Sequence, residues 1–127
     1  MNRRNTVQRQ LVAETILNLD HPNAEQVYEE IVKNHPHVSK ATVYRNLNLL
    51  AEQQEIGKIE TSEGAARFDF RTQPHYHLRC RKCGRLFDAE IPVFEHLEEN
   101  LRNTGGFTVE KHIVEFIGIC SDCKNKN

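Results

Sequence analysis

All four cysteines of the chain fall into two pairs of identical spacing, Cys80-Arg-Lys-Cys83 and Cys120-Ser-Asp-Cys123, and none is left over. No other feature constrains the fold as much. A CxxC knuckle brings two thiolates to one cation, and two knuckles complete a tetrahedral site that Zn2+ fills without redox chemistry of its own. Four thiolates leave no open coordination position, so the expected role of Cys80, Cys83, Cys120 and Cys123 is structural: the zinc staples the C-terminal strand end to a hairpin far upstream. A redox dithiol or a pair of disulfides are the other uses of such motifs. The paired arrangement disfavours the first, and a reducing cytoplasm disfavours the second.

A chain of 127 residues has room for one ordinary domain or two small ones, each with a modest core, so extra staples are expected. With 28% charged and 38% hydrophobic residues it reads as soluble and globular. No run approaches the roughly 20 apolar residues of a membrane span. The opening Met-Asn-Arg-Arg-Asn-Thr carries positive charge with no apolar stretch behind it, so no secretory signal is expected and a cytoplasmic address follows. The net charge of -1 offers no electrostatic argument for nucleic acid. Basic residues gather locally at Arg3, Arg4 and Arg9 and again at Lys40 and Arg45, while Glu25, Glu29 and Glu30 fall in a different helix.

Apolar periodicity organises the first half. Val7, Leu11, Val12, Ile16 and Leu19 predict one amphipathic helix; after His21-Pro-Asn, the residues Ala24, Val27, Tyr28, Ile31 and Val32 predict a second, ending near Asn34. Ser39 is placed to cap a third, whose buried face is Val43, Leu47, Leu50 and Ala51. Short extended pieces follow at Ile56 to Glu60 and Ala66 to Phe70, with a turn at Gly64. Three helices closed by a hairpin make a winged helix. In a winged helix the third helix is the one offered to the major groove, with Lys40, Thr42, Tyr44 and Arg45 outward; the same periodicity also fits a helix packed inside a generic small bundle. Beyond Thr72, Gln73 and Pro74 come strands at His75 to Cys80 and Leu86 to Ala89, a helix from Val93 to Asn103, and a long strand from Phe107 to Ile119. The fold class is therefore α+β: residues 1–72 a winged-helix DNA-binding domain, and residues 73–127 a small α/β domain.

A second cluster of donors contains no sulfur. His75 and His77 are two apart in an expected strand, so both imidazoles leave one face and can share a metal. Asp69 lies between Phe68 and Phe70 and points opposite to them, and Asp88 follows the first knuckle. Each residue also has a plainer reading: Asp69 as a partner of Arg67, Asp88 as a solvated strand end, the histidines as surface residues.

The segments Ser39-Lys-Ala-Thr-Val-Tyr-Arg-Asn-Leu, Ala66-Arg-Phe-Asp-Phe, His75-Tyr-His-Leu-Arg-Cys-Arg-Lys-Cys-Gly and the terminal Cys-Ser-Asp-Cys resemble, in order and spacing, the ferric uptake regulator (Fur) superfamily. Within it the chain is most similar to the peroxide-sensing repressors (PerR). All five of their regulatory metal positions are filled, by His21, Asp69, His75, His77 and Asp88, and iron-sensing members usually carry glutamate where Asp69 stands. The resemblance implies a homodimeric repressor that is not an enzyme and binds double-stranded operator DNA, with residues 73–127 as its dimerisation and metal-binding domain. Tyr44 and Arg45 would touch bases, and Arg9 and Lys40 phosphates. It also implies Fe2+ or Mn2+ at the regulatory site, a donor set of imidazoles and carboxylates that suits either ion. Occupancy would set the angle between the two reading heads, and oxidation of His21 or His75 would release the DNA.

The match has departures. The family's leading helix is reduced here to Met1 to Thr6. Of a further metal site present in some iron sensors, Glu95 and His112 match, but Pro74 and Tyr76 replace two ligands. His35, His37 and His96 have no assigned counterpart. Rival readings are an iron- or zinc-sensing regulator of the same family, a metallohydrolase built on the His/Asp cluster, and a zinc-ribbon interaction module. The hydrolase reading lacks an HExxH helix and an evident base beside an open metal.

Overall fold

The computed structural model describes residues 3–62 and 64–125, with side chains from Thr6 onward, so the basic pair Arg3 and Arg4 lies outside the described side chains. The chain divides into two compact units, residues 1–73 and 74–127.

The first unit is three helices and a hairpin. Helix α1 (Arg3–Leu17) buries Val12 and Ile16, and α2 (Ala24–Val32) buries Val27 and Ile31. Helix α3 (Lys40–Glu52) buries Val43, Leu47 and Leu50. These side chains form one core with Val38, Ile56 and Phe68, against which Leu11, Leu19, Tyr28 and Ala51 pack. The sequence periodicity located this stripe, with one exception: Val7 is 60% exposed, a turn beyond the reach of the core.

Local chemistry sets the helix ends. Asn23 and Gln26 form a reciprocal capping box: the Gln26 amide donates to Asn23 Oδ1 at 2.8 Å and the Asn23 amide to Gln26 Oε1 at 2.9 Å. Ser39 caps α3 as its sequence position predicts, accepting from the Thr42 amide at 3.1 Å. Gln54, in the left-handed region at φ 60°, turns the chain out of α3.

Strands β1 (Gly57–Ile59) and β2 (Arg67–Asp69) pair antiparallel, with Gly57 opposite Asp69. Only glycine fits at 57, since a Cβ there would lie 2.2 Å from the Arg71 carbonyl oxygen. The hairpin is also tied to the loop before α2: Asn23 bridges to Arg67, and the Phe68 amide donates to the Pro22 carbonyl at 2.8 Å.

The second unit is a three-stranded sheet in the order β4-β3-β5. Strand β3 (His77–Cys80) runs antiparallel to β4 (Leu86–Asp88) and parallel to β5 (Glu115–Gly118). A nearly buried ion pair, Arg79 Nε to Glu115 Oε1 at 2.6 Å, crosses between β3 and β5. A short helix, α4 (Ser121–Lys124), closes the described chain.

Two expectations are corrected here. The helix foreseen from Val93 to Asn103 is a single 3₁₀ turn at Leu97–Asn100, and the long strand from Phe107 to Ile119 is only β5. The apolar residues that suggested both elements remain open to solvent: Phe94 is 59% exposed, Leu101 55% and Phe107 79%. A helix this short gains its stability from burying a face, and none of Leu97–Asn100 is buried among the described residues. Likewise β3 is four residues long and pairs with Glu115–Gly118, near the end of the expected strand.

Candidate metal centres and reading helix

The sheet delivers both cysteine pairs to one place. Cys80 ends β3, and the turn Arg81-Lys82-Cys83-Gly84 closes back onto it, with the Gly84 amide donating to the Cys80 carbonyl at 2.9 Å. Gly84 adopts φ 79°, a conformation that favours glycine. Parallel pairing sets Gly118 beside Cys80, so Cys120 arrives two residues later and α4 carries Cys123. The four sulfurs lie within 4.8 Å of one another.

This donor set fits Zn2+. Tetrahedral Zn–S bonds of ~2.3 Å imply sulfur–sulfur edges of ~3.8 Å, and Cys83 Sγ lies 3.8 Å from Cys120 Sγ. The backbone amides of Cys120 and Cys83 hold the Cys80 thiol down at about 5, while Cys120, its sulfur neighbour, pushes Cys123 up to about 12. Thiols this crowded cannot all ionise by themselves, and a divalent cation reverses that penalty. Arg85 adds a supporting charge, its guanidinium donating to Asp122 at 2.9 Å and lying 3.8 Å from Cys120 Sγ.

The sulfur-free donors fall into a pair in the first unit and a trio in the second. In the pair, His21 Nε2 faces Asp69 Oδ2 at 3.5 Å, and both residues are buried. The loop holding His21 is fixed by β2, because Arg67 donates to the His21 carbonyl at 3.0 Å while Phe68 holds Pro22. His21 has φ 46°, a left-handed conformation that costs a non-glycine residue about 1–3 kcal/mol. The surrounding hydrogen bonds maintain it. Asp20 Oδ1 lies 2.6 Å from His21 Nδ1 and orients the ring so that Nε2 is the outward donor. Sequence reasoning missed Asp20, although an acid directly before a candidate ligand histidine was visible. The alternation expected of Phe68, Asp69 and Phe70 is not kept: β2 ends at Asp69, Phe68 and Asp69 are both buried, and Phe70 is 60% exposed.

In the trio, the β3–β4 register sets His77 directly opposite Asp88. His75 precedes the strand rather than lying within it, yet its ring lies 4.4 Å from that of His77, tilted 54° to it. Asp88 Oδ1 is 3.0 Å from His75 Nε2 and 3.6 Å from His77 Nε2. Two imidazoles converging on one carboxylate oxygen offer N and O donors to a single cation.

Tyr76, between the two histidines, is buried, and its hydroxyl joins a separate chain: it lies 2.7 Å from His112 Nε2, and His112 Nδ1 makes a short contact to Glu98.

On the reading helix, Lys40, Tyr44 and Arg45 are exposed and Thr42 is half-buried, its hydroxyl accepting from Ser39 within the cap. Glu25 is not remote from them, as its place in another helix suggested. Its carboxylate contacts Lys40 at 2.9 Å and accepts from the Tyr44 hydroxyl at 3.1 Å. Arg9, half-buried on α1, reaches Gln53 Oε1 at 3.5 Å. No helix among the described residues is long and apolar enough to cross a membrane.

Comparison with known proteins agrees with this architecture. The chain is 34% identical over 122 residues to the peroxide operon regulator of Bacillus subtilis, spanning 95% of this chain and 84% of that one. The solved Campylobacter jejuni peroxide stress regulator matches at 32% identity and TM-score 0.67, covering 94% of this chain and 91% of that one. The Helicobacter pylori ferric uptake regulator, at 23% identity, shares the fold with TM-score 0.72 over 98% of this chain and 83% of that one. The model of the ferric uptake regulator family matches residues 1–117, and the chain belongs to that family.

Proposed function

We propose that the protein is a metal-dependent, DNA-binding transcriptional repressor of the peroxide-sensing kind. The observation that carries the reading is the sulfur-free donor set, His75 and His77 on Asp88 in one unit and His21 facing Asp69 in the other. Its likeness to peroxide regulators over nearly the whole chain supports the same conclusion. His21, Asp69, His75, His77 and Asp88 are the regulatory Fe2+ or Mn2+ ligands of this reading, while Cys80, Cys83, Cys120 and Cys123 hold a structural Zn2+. Three imidazoles and two carboxylates suit Fe2+ and Mn2+ without selecting either, so cellular supply decides.

Each residue's task follows from its surroundings. Asp20 keeps His21 in the ring orientation that presents Nε2, and the strained loop at His21 is maintained by Arg67 and Phe68. Lys40, Thr42, Tyr44, Arg45 and Arg9 form the surface that meets duplex DNA, bases through α3 and phosphates through the flanking cations. The exposed apolar side chains of the second unit, Phe94, Leu101, Phe107, Ile113 and Ile117 among them, support a homodimer that covers them. Ion occupancy is then the control on duplex binding by two symmetry-related α3 helices. When bound, Fe2+ would supply one-electron reducing chemistry toward peroxide, and His21 and His75 would be the rings beside the oxidant formed.

Peroxide treatment of the Fe2+ form followed by peptide mass spectrometry tests the reading. One added oxygen on His21 or His75, together with loss of duplex binding, is expected. Unmodified histidines with retained binding would remove the peroxide-sensing reading.

A further inference from the structure

Glu25 occupies the first turn of α2, where a carboxylate is favoured by the helix N-terminus, and it reaches across to α3. Lys40 opens α3 and Tyr44 follows one turn later on the same face. The Lys40 ammonium lies 2.9 Å from one Glu25 oxygen and 3.3 Å from the other, and the Tyr44 hydroxyl donates to the first of these at 3.1 Å. Lys40 also rests 5.4 Å from the centre of the Tyr28 ring, which narrows its range of positions.

An ion pair with side chains 52% and 45% exposed contributes little to folding. Its location, on the face that the winged helix presents to DNA, points to binding instead. Two consequences follow from the chemistry. A lysine held by a carboxylate releases fewer phosphate counterions, so it contributes less to sequence-independent affinity. A phenol whose proton is committed to a carboxylate shows only lone pairs outward, and so meets an exocyclic amino group of cytosine or adenine better than guanine O6, guanine N7 or a phosphate.

We propose that Glu25 is a positioning and specificity-determining residue of the reading helix: it neutralises Lys40 toward non-specific DNA and turns Tyr44 into a hydrogen-bond acceptor for bases. This inference rests on the DNA-binding reading above. Glu25 does not itself contact DNA in this scheme; it acts through Lys40 and Tyr44.

The test uses the full chain with zinc and Mn2+ bound, two duplexes, and a salt series. One duplex is random in sequence and the other is enriched from a random pool by the wild-type protein. Glu25→Gln is expected to tighten the random duplex by up to roughly tenfold near 0.1 M salt and to steepen the slope of log K against log salt by ~0.9, one more phosphate. The enriched duplex gains less, so the specificity ratio falls. On a Lys40→Ala background the same substitution produces no steepening, because its route has been removed. Equal gains with and without Lys40 would make Glu25 a generic negative charge and overturn the proposal, as would an unchanged slope in Glu25→Gln. A wild-type protein that binds neither duplex overturns the DNA-binding reading along with the inference. Wild-type binding with an inert Glu25→Gln overturns the inference alone.

Discussion

The two units of the chain are stabilised by different means. The first surrounds Val12, Ile16, Val27, Val43 and Leu47, each at most 1% exposed, with three helices, of which α2 and α3 carry side-chain caps, and a hairpin. The second fully buries Leu86 and Cys80 and leaves Phe94, Leu101, Phe107 and Ile117 more than half exposed. A fully buried aliphatic side chain contributes about 1.5–3 kcal/mol, so the first unit has an adequate core of its own. The second has a sheet of short strands and four thiols around one point. The chain thus joins a unit with its own apolar core to one built around a thiol cluster.

Removing zinc should break this comparison most severely. Structural zinc in small domains contributes on the order of 10–16 kcal/mol. Stripping it with a thiol reagent and chelator, or substituting Cys123→Ser, should abolish hydrogen-exchange protection across β3, β4 and β5 while α1 to α3 stay protected. A metal-free second unit that remains protected would contradict the assignment of its stability to the cysteines. Next in size is Leu47→Ala, expected to cost about 2–5 kcal/mol as a shift in denaturant midpoint. Leu101→Ala, at 55% exposed, should change the stability of a single chain by less than about 0.5 kcal/mol. Equal effects would mean that the exposed side chains of the second unit are packed in a way the single chain does not reveal.

The smallest effect concerns pH. His112, through its hydrogen bond, holds the Glu98 carboxyl below its ordinary range. A carboxyl lowered by folding stabilises above its unfolded pKa and loses that contribution as pH falls through its folded value. The acid limb of second-unit stability, below about pH 4, should therefore flatten in Glu98→Gln. Thermal melts over a pH series read the difference, and an identical acid limb in both proteins would exclude this contact as its source.

These contrasts also explain what was legible in the sequence. The winged helix was readable because its information is local: helical spacing at Val43, Leu47 and Leu50, a serine before the helix, a glycine in the hairpin turn. The cysteine cluster was readable because spacing alone specifies it. The region from Val93 to Ile113 was misread because amphipathic periodicity reports what a segment can bury, not whether the same chain offers a surface against which to bury it. Asp20 and Glu25 were missed for a different reason. Asp20 acts through the orientation of a neighbouring ring, and Glu25 through two residues of a helix that packs beside its own, so neither role has a spacing signature.

The central claim is that the thiol cluster is scaffold and the sulfur-free donors are the switch. Duplex binding by wild-type protein and His77→Ala, each with and without Mn2+ at one stated salt concentration and with zinc content measured in parallel, tests it most directly. The account predicts that both proteins keep one zinc per chain and a folded second unit, that Mn2+ tightens wild-type binding, and that His77→Ala binds weakly whether or not Mn2+ is present. Metal-free wild-type protein that binds as tightly as the loaded form, or a variant that still responds to Mn2+, would contradict it.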